Sequence, residues 1–120
     1  MSGKTILIVD DDSISYLLLY EILSQFNANI VGVTNGLDAV SFVKKHKVDI
    51  ILMDIVMPGM NGLEATIQIK SFASHIPIIV QTANGMPQHK TECFKAGCDA
   101  YFAKPLDIKL FTEAVRAYLQ

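Results

Sequence analysis

The stretch Ile50-Ile-Leu-Met-Asp-Ile-Val-Met-Pro-Gly-Met-Asn-Gly62 decides how this chain is read. It opens as an apolar run of strand length, reaches a single carboxylate at Asp54, and meets a Pro-Gly turn soon after. Nearly continuous Ile, Leu and Val suits a strand buried on both faces, and such strands belong to parallel sheets. A second run of the same kind, Thr5-Ile-Leu-Ile-Val9, ends in Asp10, Asp11 and Asp12. If the two strands are parallel neighbours, their acids converge at one end of the sheet. Carboxylates packed that closely repel and resist desolvation, so the site calls for a cation.

The run before Asp54 spans 48–53, further strand-length runs lie at 29–33, 77–81 and 100–103, and helical segments separate the five. Asp12 or Ser13 caps a helix reaching Phe26, and Asn35 caps one reaching His46 with Asp38 in its first turn. Asn61 with Glu64 three residues on starts a helix reaching Ala73. Pro87 suits a first turn, and Gly97 ends that helix. Asp107 opens the last helix, which carries Phe111, Ala114, Val115 and Tyr118 at helical spacing. Strict alternation with short connections predicts an α/β fold, a parallel sheet doubly wound by five helices. Ligands of such sheets bind outside the carboxyl ends of the strands. Asp10 to Asp12, Asp54, Thr82 and Lys104 are all expected there.

With 120 residues and 13.2 kDa, the chain is expected to form a single domain over 1–120. A net charge of −2 and a pI near 5.8 argue against nucleic acid or an anionic membrane as partner. No apolar run approaches the roughly 20 residues of a membrane span, and the first residues do not resemble a signal peptide, so a cytoplasmic location is expected. Cys93 and Cys98 have neither redox-pair nor zinc-ligand spacing and are expected to be free thiols. His46, His75 and His89 also lack ligand-like spacing and are expected at the surface. Four successive apolar residues at 17–20 cannot all face inward on one helix, so part of that helix is an expected docking patch.

Several of these segments together resemble the receiver domain of two-component response regulators. Ile6-Leu-Ile-Val-Asp-Asp-Asp12 is similar to the acidic strand end of that family, and Met53-Asp-Ile-Val-Met-Pro-Gly-Met-Asn-Gly62 to its phosphoacceptor segment. Thr82-Ala83 resembles the switch threonine with its small neighbour, and Tyr101-Phe-Ala-Lys-Pro105 the switch aromatic and the Lys-Pro pair. The segments at 53–66 and Lys104-Pro-Leu-Asp107 further resemble receivers attached to hybrid sensor kinases. The resemblance implies a flavodoxin-like five-stranded sheet in the order 2-1-3-4-5.

It also implies roles. Asp54 would be the phosphoacceptor, taking a phosphoryl group from a histidine kinase or histidine phosphotransfer domain. Mg²⁺, with Mn²⁺ as an alternative, would be held by Asp11, Asp54, the backbone carbonyl of Val56 and, through water, Asp10. Lys104 would offer its ammonium to the phosphoryl oxygens and Thr82 its hydroxyl. Thr82, Ala83 and Tyr101 would form the switch, remodelling the face of the fourth helix, fifth strand and fifth helix for a downstream effector or output domain. The Lys104-Pro105 bond is a candidate cis peptide. Asp12 is a third acid that the family does not require, and it is read as a loop or helix-capping residue. Val56 and Asn84 offer no acid or base to orient a hydrolytic water, so slow loss of phosphate is expected.

Such a domain modifies itself and is not a turnover enzyme. Two other classes compete with it. A receiver-fold scaffold without the chemistry would have lost Asp54 or Lys104, and both are present. A haloacid-dehalogenase-like phosphatase needs a further acid pair near its end, which 120 residues of this pattern do not supply.

Overall fold

Each of the five apolar runs becomes a strand. The computed structural model describes residues 3–55, 61–83 and 87–120, the side chains of 87 and 88 excepted. The elements are β1 (Thr5–Val9), α1 (Ser13–Leu23) with a 3-10 turn at Ser24–Phe26, β2 (Asn29–Val33), α2 (Gly36–Lys45), β3 (Ile50–Asp54), α3 (Gly62–Phe72), β4 (Ile78–Thr82), α4 (Pro87–Ala96), β5 (Ala100–Ala103) and α5 (Ile108–Leu119). All pairings are parallel, and the sheet order is β2-β1-β3-β4-β5. This is the predicted doubly wound, flavodoxin-like order.

Side-chain alternation along the strands separates two apolar layers. Leu7, Val9, Ile51, Met53, Ile78 and Val80 face α2, α3 and α4, where Val40, Ala65, Ile69 and Cys93 meet them. Ile6, Ile8, Ile50, Leu52 and Ile79 face α1 and α5, against Leu19, Leu23, Phe111 and Val115. The central strands β3 and β4 are buried along their whole length, which accounts for their lack of polar alternation.

Helix starts follow the capping chemistry. The side chains of Asp12, Asn35, Asn61 and Asp107 accept from the amides of Ile14, Asp38, Glu64 and Leu110 at 2.8–3.1 Å. At the end of α4, Gly97 has φ +109, its N–H donates to Phe94 O, and Cys98 N–H donates to Cys93 O, both at 3.1 Å. That is a Schellman ending, which brings the residue after the glycine against the one five earlier. The two apolar partners here are Cys98 and Cys93, both buried free thiols. Burial, followed by the nearby Glu92, pushes the Cys93 thiol up to about 11. Burial, followed by its neighbour Cys93, pushes Cys98 up to about 12.

Two consequences follow. Neither thiol is expected to react with a soluble disulfide or iodoacetamide at pH 8 faster than the domain opens, a rate that mass spectrometry reads directly. Thiols of the unfolded chain ionise near 9.0 while these stay protonated. Their contribution is therefore complete below pH 9, and stability falls as pH rises from there through about 11 for Cys93 and about 12 for Cys98.

Some details differ from the sequence reading. β3 begins at Ile50 rather than 48, because Asp49 turns its carboxylate onto Thr5 N–H at 2.8 Å and sends its own N–H to Thr5 O at 2.9 Å. Tyr118 is not on the core face of α5. Phe111, Val115 and Leu119 are, while Tyr118 stays exposed and its hydroxyl donates to Asp99 O. His89 is half-buried, whereas His46 and His75 are exposed. No described helix is long and apolar enough to cross a membrane.

Candidate functional site

The β1–β3 pairing, with Val9 opposite Met53, brings together the acids that follow β1 and the one that ends β3. Ligand atoms of Asp10, Asp11 and Asp54 lie within 4.8 Å of one another. Asp10 and Asp54 are buried and Asp11 is exposed, so the group opens to solvent on one side. Asp10 is held from below, its Oδ1 accepting from Asp12 N–H at 2.9 Å. Its Oδ2 is buried and has no hydrogen-bond partner among the described residues. Asp12 points away to cap α1 and is not part of the group.

Lys104 supplies the countercharge. Its Nζ lies 3.6 Å from Asp10 Oδ2, too long for a hydrogen bond, and donates instead to Ser15 Oγ at 2.8 Å. The Lys104-Pro105 peptide is cis, as expected. Lys104 N–H also donates to Thr82 O at 2.8 Å, tying the end of β4 to the lysine by backbone. Lys104→Met is expected to lower metal-free stability by about 1 kcal/mol, since the pair is loose and the lysine partly exposed. The gain in stability on adding Mg²⁺ should grow in that variant, and thermal melts in EDTA and in Mg²⁺ check both.

Asp54 and Thr82 are the last residues of β3 and β4 rather than the first residues after them, and both are buried. Ala83 follows, exposed. Tyr101 is half-buried against the layer beneath α2, α3 and α4. Burial there, followed by the two cysteines, raises its hydroxyl above the usual tyrosine range. Val56, Asn84 and Met86 lie outside the described residues. Gly62 seats α3 against the chain that follows Asp54: its N–H donates to Ile55 O at 2.9 Å, and Thr66 Oγ1 donates to Gly62 O at 2.8 Å.

Two residues at this edge escaped sequence reading. Ser15 sits on α1 with no spacing signal toward Lys104, which is 89 residues away. Gln81 is the polar residue before the last of an apolar strand, yet it is fully buried beside Asp54 in the β3–β4 register. A cleft of about 510 Å³ at the opposite edge gathers Lys44, His46, Lys47 and His75, far from the acids.

The donor set fits a small hard cation. Three carboxylates converge, one buried oxygen has no hydrogen-bond partner among the described residues, and one side stays open for the waters that Mg²⁺ retains. A doubly wound sheet with an acid pocket, a lysine and a threonine at its carboxyl edge defines a class of domain that known proteins share. Residues 6–116 match the response regulator receiver domain family, and the chain belongs to that family. It is 33% identical over 118 residues to the polar-differentiation response regulator DivK of Brucella anthropi, covering 97% of this chain and 96% of that one. A putative response regulator from Chloroflexus aurantiacus superposes with a TM-score of 0.91 at 27% identity, over 97% of both chains. The receiver domain of the sensor histidine kinase PA1611 from Pseudomonas aeruginosa, solved with a magnesium ion coordinated in its active-site cleft, gives a TM-score of 0.88 at 28% identity, over 98% of both.

Proposed function

We propose that this receiver domain stores a signal as a phosphoryl group on Asp54. The observation that carries the proposal is the buried Asp54 carboxylate, held with Asp10 and Asp11 in one group and followed across the edge by Thr82 and Lys104. A carboxylate is ionised at neutral pH and needs no base to attack. An Asp54 oxygen forms the new P–O bond as the P–N bond of a donor phosphohistidine breaks, and the departing imidazole takes up a proton. Asp10, Asp11, Asp54 and the Val56 carbonyl would hold Mg²⁺, which when bound offsets the negative charge gathered at the phosphoryl oxygens.

Lys104 is poised for a change of partner, since its ammonium rests on a neutral hydroxyl and a loose ion pair. It would turn to the phosphoryl oxygens, with Thr82 donating its hydroxyl beside it. Tyr101 would turn further inward behind Thr82 and remodel the face of α4, β5 and α5. Among its described residues α4 buries just Cys93, and a helix with so little to hold it is suited to that movement. The phosphodonor, a histidine kinase or histidine phosphotransfer domain, would dock over α1, where Ile14, Leu17 and Leu18 are exposed and Leu19 is buried. The domain acts once on itself and loses phosphate slowly. Incubation with phosphoramidate and Mg²⁺, read by intact mass and peptide mapping, should add a single phosphoryl group at Asp54. A group added elsewhere, or none, would overturn the reading.

A further inference from the structure

Gln81 is fully buried, and neither Oε1 nor Nε2 of its carboxamide has a hydrogen-bond partner among the described residues. An amide buried without partners is costly, so its retention needs a reason. Its place supplies one. Gln81 is the register partner of Asp54 across β3 and β4. Ile50 and Leu52 on β3, and Ile79 on β4, all belong to the layer facing α1 and α5. Strand side chains alternate between faces, so Asp54 and Gln81, each two residues further on, share that face. Neighbouring strands lie about 4.8 Å apart, within reach of a glutamine side chain. Lys104 is tied to α1 on the same side, through Ser15.

We propose that Gln81 is a positioning residue for the phosphorylated form. Its carboxamide has no hydrogen-bond partner among the described residues of the resting domain and gains partners when Asp54 carries a phosphoryl group, so the resting state alone bears the burial cost. The proposal rests on Asp54 being the phosphoacceptor. Phosphorylation adds acceptor oxygens to the end of β3 and draws the Lys104 ammonium from Ser15 toward them. A carboxamide offers two donors and an acceptor, and can serve both new neighbours. The predicted effect is a bias of the two-state equilibrium toward the phosphorylated conformation.

Gln81→Met removes the amide while keeping nearly the same volume, and Gln81→Leu repeats the test with a different shape. Two readouts are compared with wild type: the thermal midpoint in EDTA, and the affinity for beryllofluoride in saturating Mg²⁺ followed by amide NMR. Both variants should melt higher than wild type and bind beryllofluoride more weakly, by about tenfold. A carboxamide that matters to the fold alone would change both states equally, so unchanged affinity overturns the proposal. So does a lower midpoint or tighter binding. Wild-type protein that fails to bind beryllofluoride at all would instead overturn the phosphoacceptor reading, before any Gln81 variant is compared.

Discussion

Asp54→Asn is expected to abolish phosphoryl uptake, by a factor on the order of 10³ or more, because a carboxamide nitrogen or oxygen is no substitute for an ionised nucleophile. The same change should leave the fold intact and raise its metal-free stability. Three carboxylates within 4.8 Å repel one another, and removing one charge relieves about 1 kcal/mol after allowance for solvent on the Asp11 side. Mg²⁺ should then lose its effect. At ten times its dissociation constant a ligand adds about 1.4 kcal/mol to the folded state, and Asp54→Asn should show little of that gain. Intact mass after phosphoramidate treatment, with melts in EDTA and Mg²⁺, measures all three. A variant that is inactive and also less stable in EDTA would mean that the acids are held together by something stronger than their mutual repulsion.

Gly62→Ala carries the largest expected cost to stability, about 3 kcal/mol or more. A Cβ built at Gly62 overlaps the carbonyl oxygen of Asp54 and comes within 2.9 Å of Ile55 Cα. Both obstacles are backbone, so neither can swing aside, and the Gly62 N–H bond to Ile55 O would have to break. The displacement falls on Asp54 itself, so metal binding should weaken along with the fold. Gly32→Ala makes the contrast. Its Cβ would meet the ring of Tyr16, a side chain that can rotate, and the cost should stay under about 1 kcal/mol. Chemical denaturation of the two variants checks the order. Equal midpoints would show that the start of α3 yields more readily than its contacts imply.

The fold was readable in the sequence because its strongest signals are local. Continuous Ile, Leu and Val at β1, β3 and β4 mark strands buried on both faces, and Asp12, Asn35, Asn61 and Asp107 cap the helices they precede. The acid pocket was equally open to inference, since two parallel strands ending in carboxylates leave them no other place to go. What escaped depends on contacts between distant parts of the chain. Ser15 becomes a partner of Lys104 through the packing of α1 beside the segment that joins β5 to α5, and no periodicity encodes that. Gln81 reads as an ordinary polar strand end until the register sets it beside Asp54 and the sheet buries it. Tyr118 has the spacing of a core residue, but Leu119 takes the core position and the tyrosine reaches Asp99 instead. Gly62 proved to be a point of close backbone approach as well as the first residue of α3.

The central claim is that Asp54, with its cation, sets the state of the α4–β5–α5 face. Amide NMR of the wild-type domain and of Asp54→Asn, each with Mg²⁺ and beryllofluoride, tests it most directly. The account predicts shifts at Thr82, Ala83 and Tyr101 and along residues 87–100 in the wild type, lost when either Mg²⁺ or Asp54 is removed. An unchanged wild-type spectrum, or shifts that persist in Asp54→Asn, would contradict it.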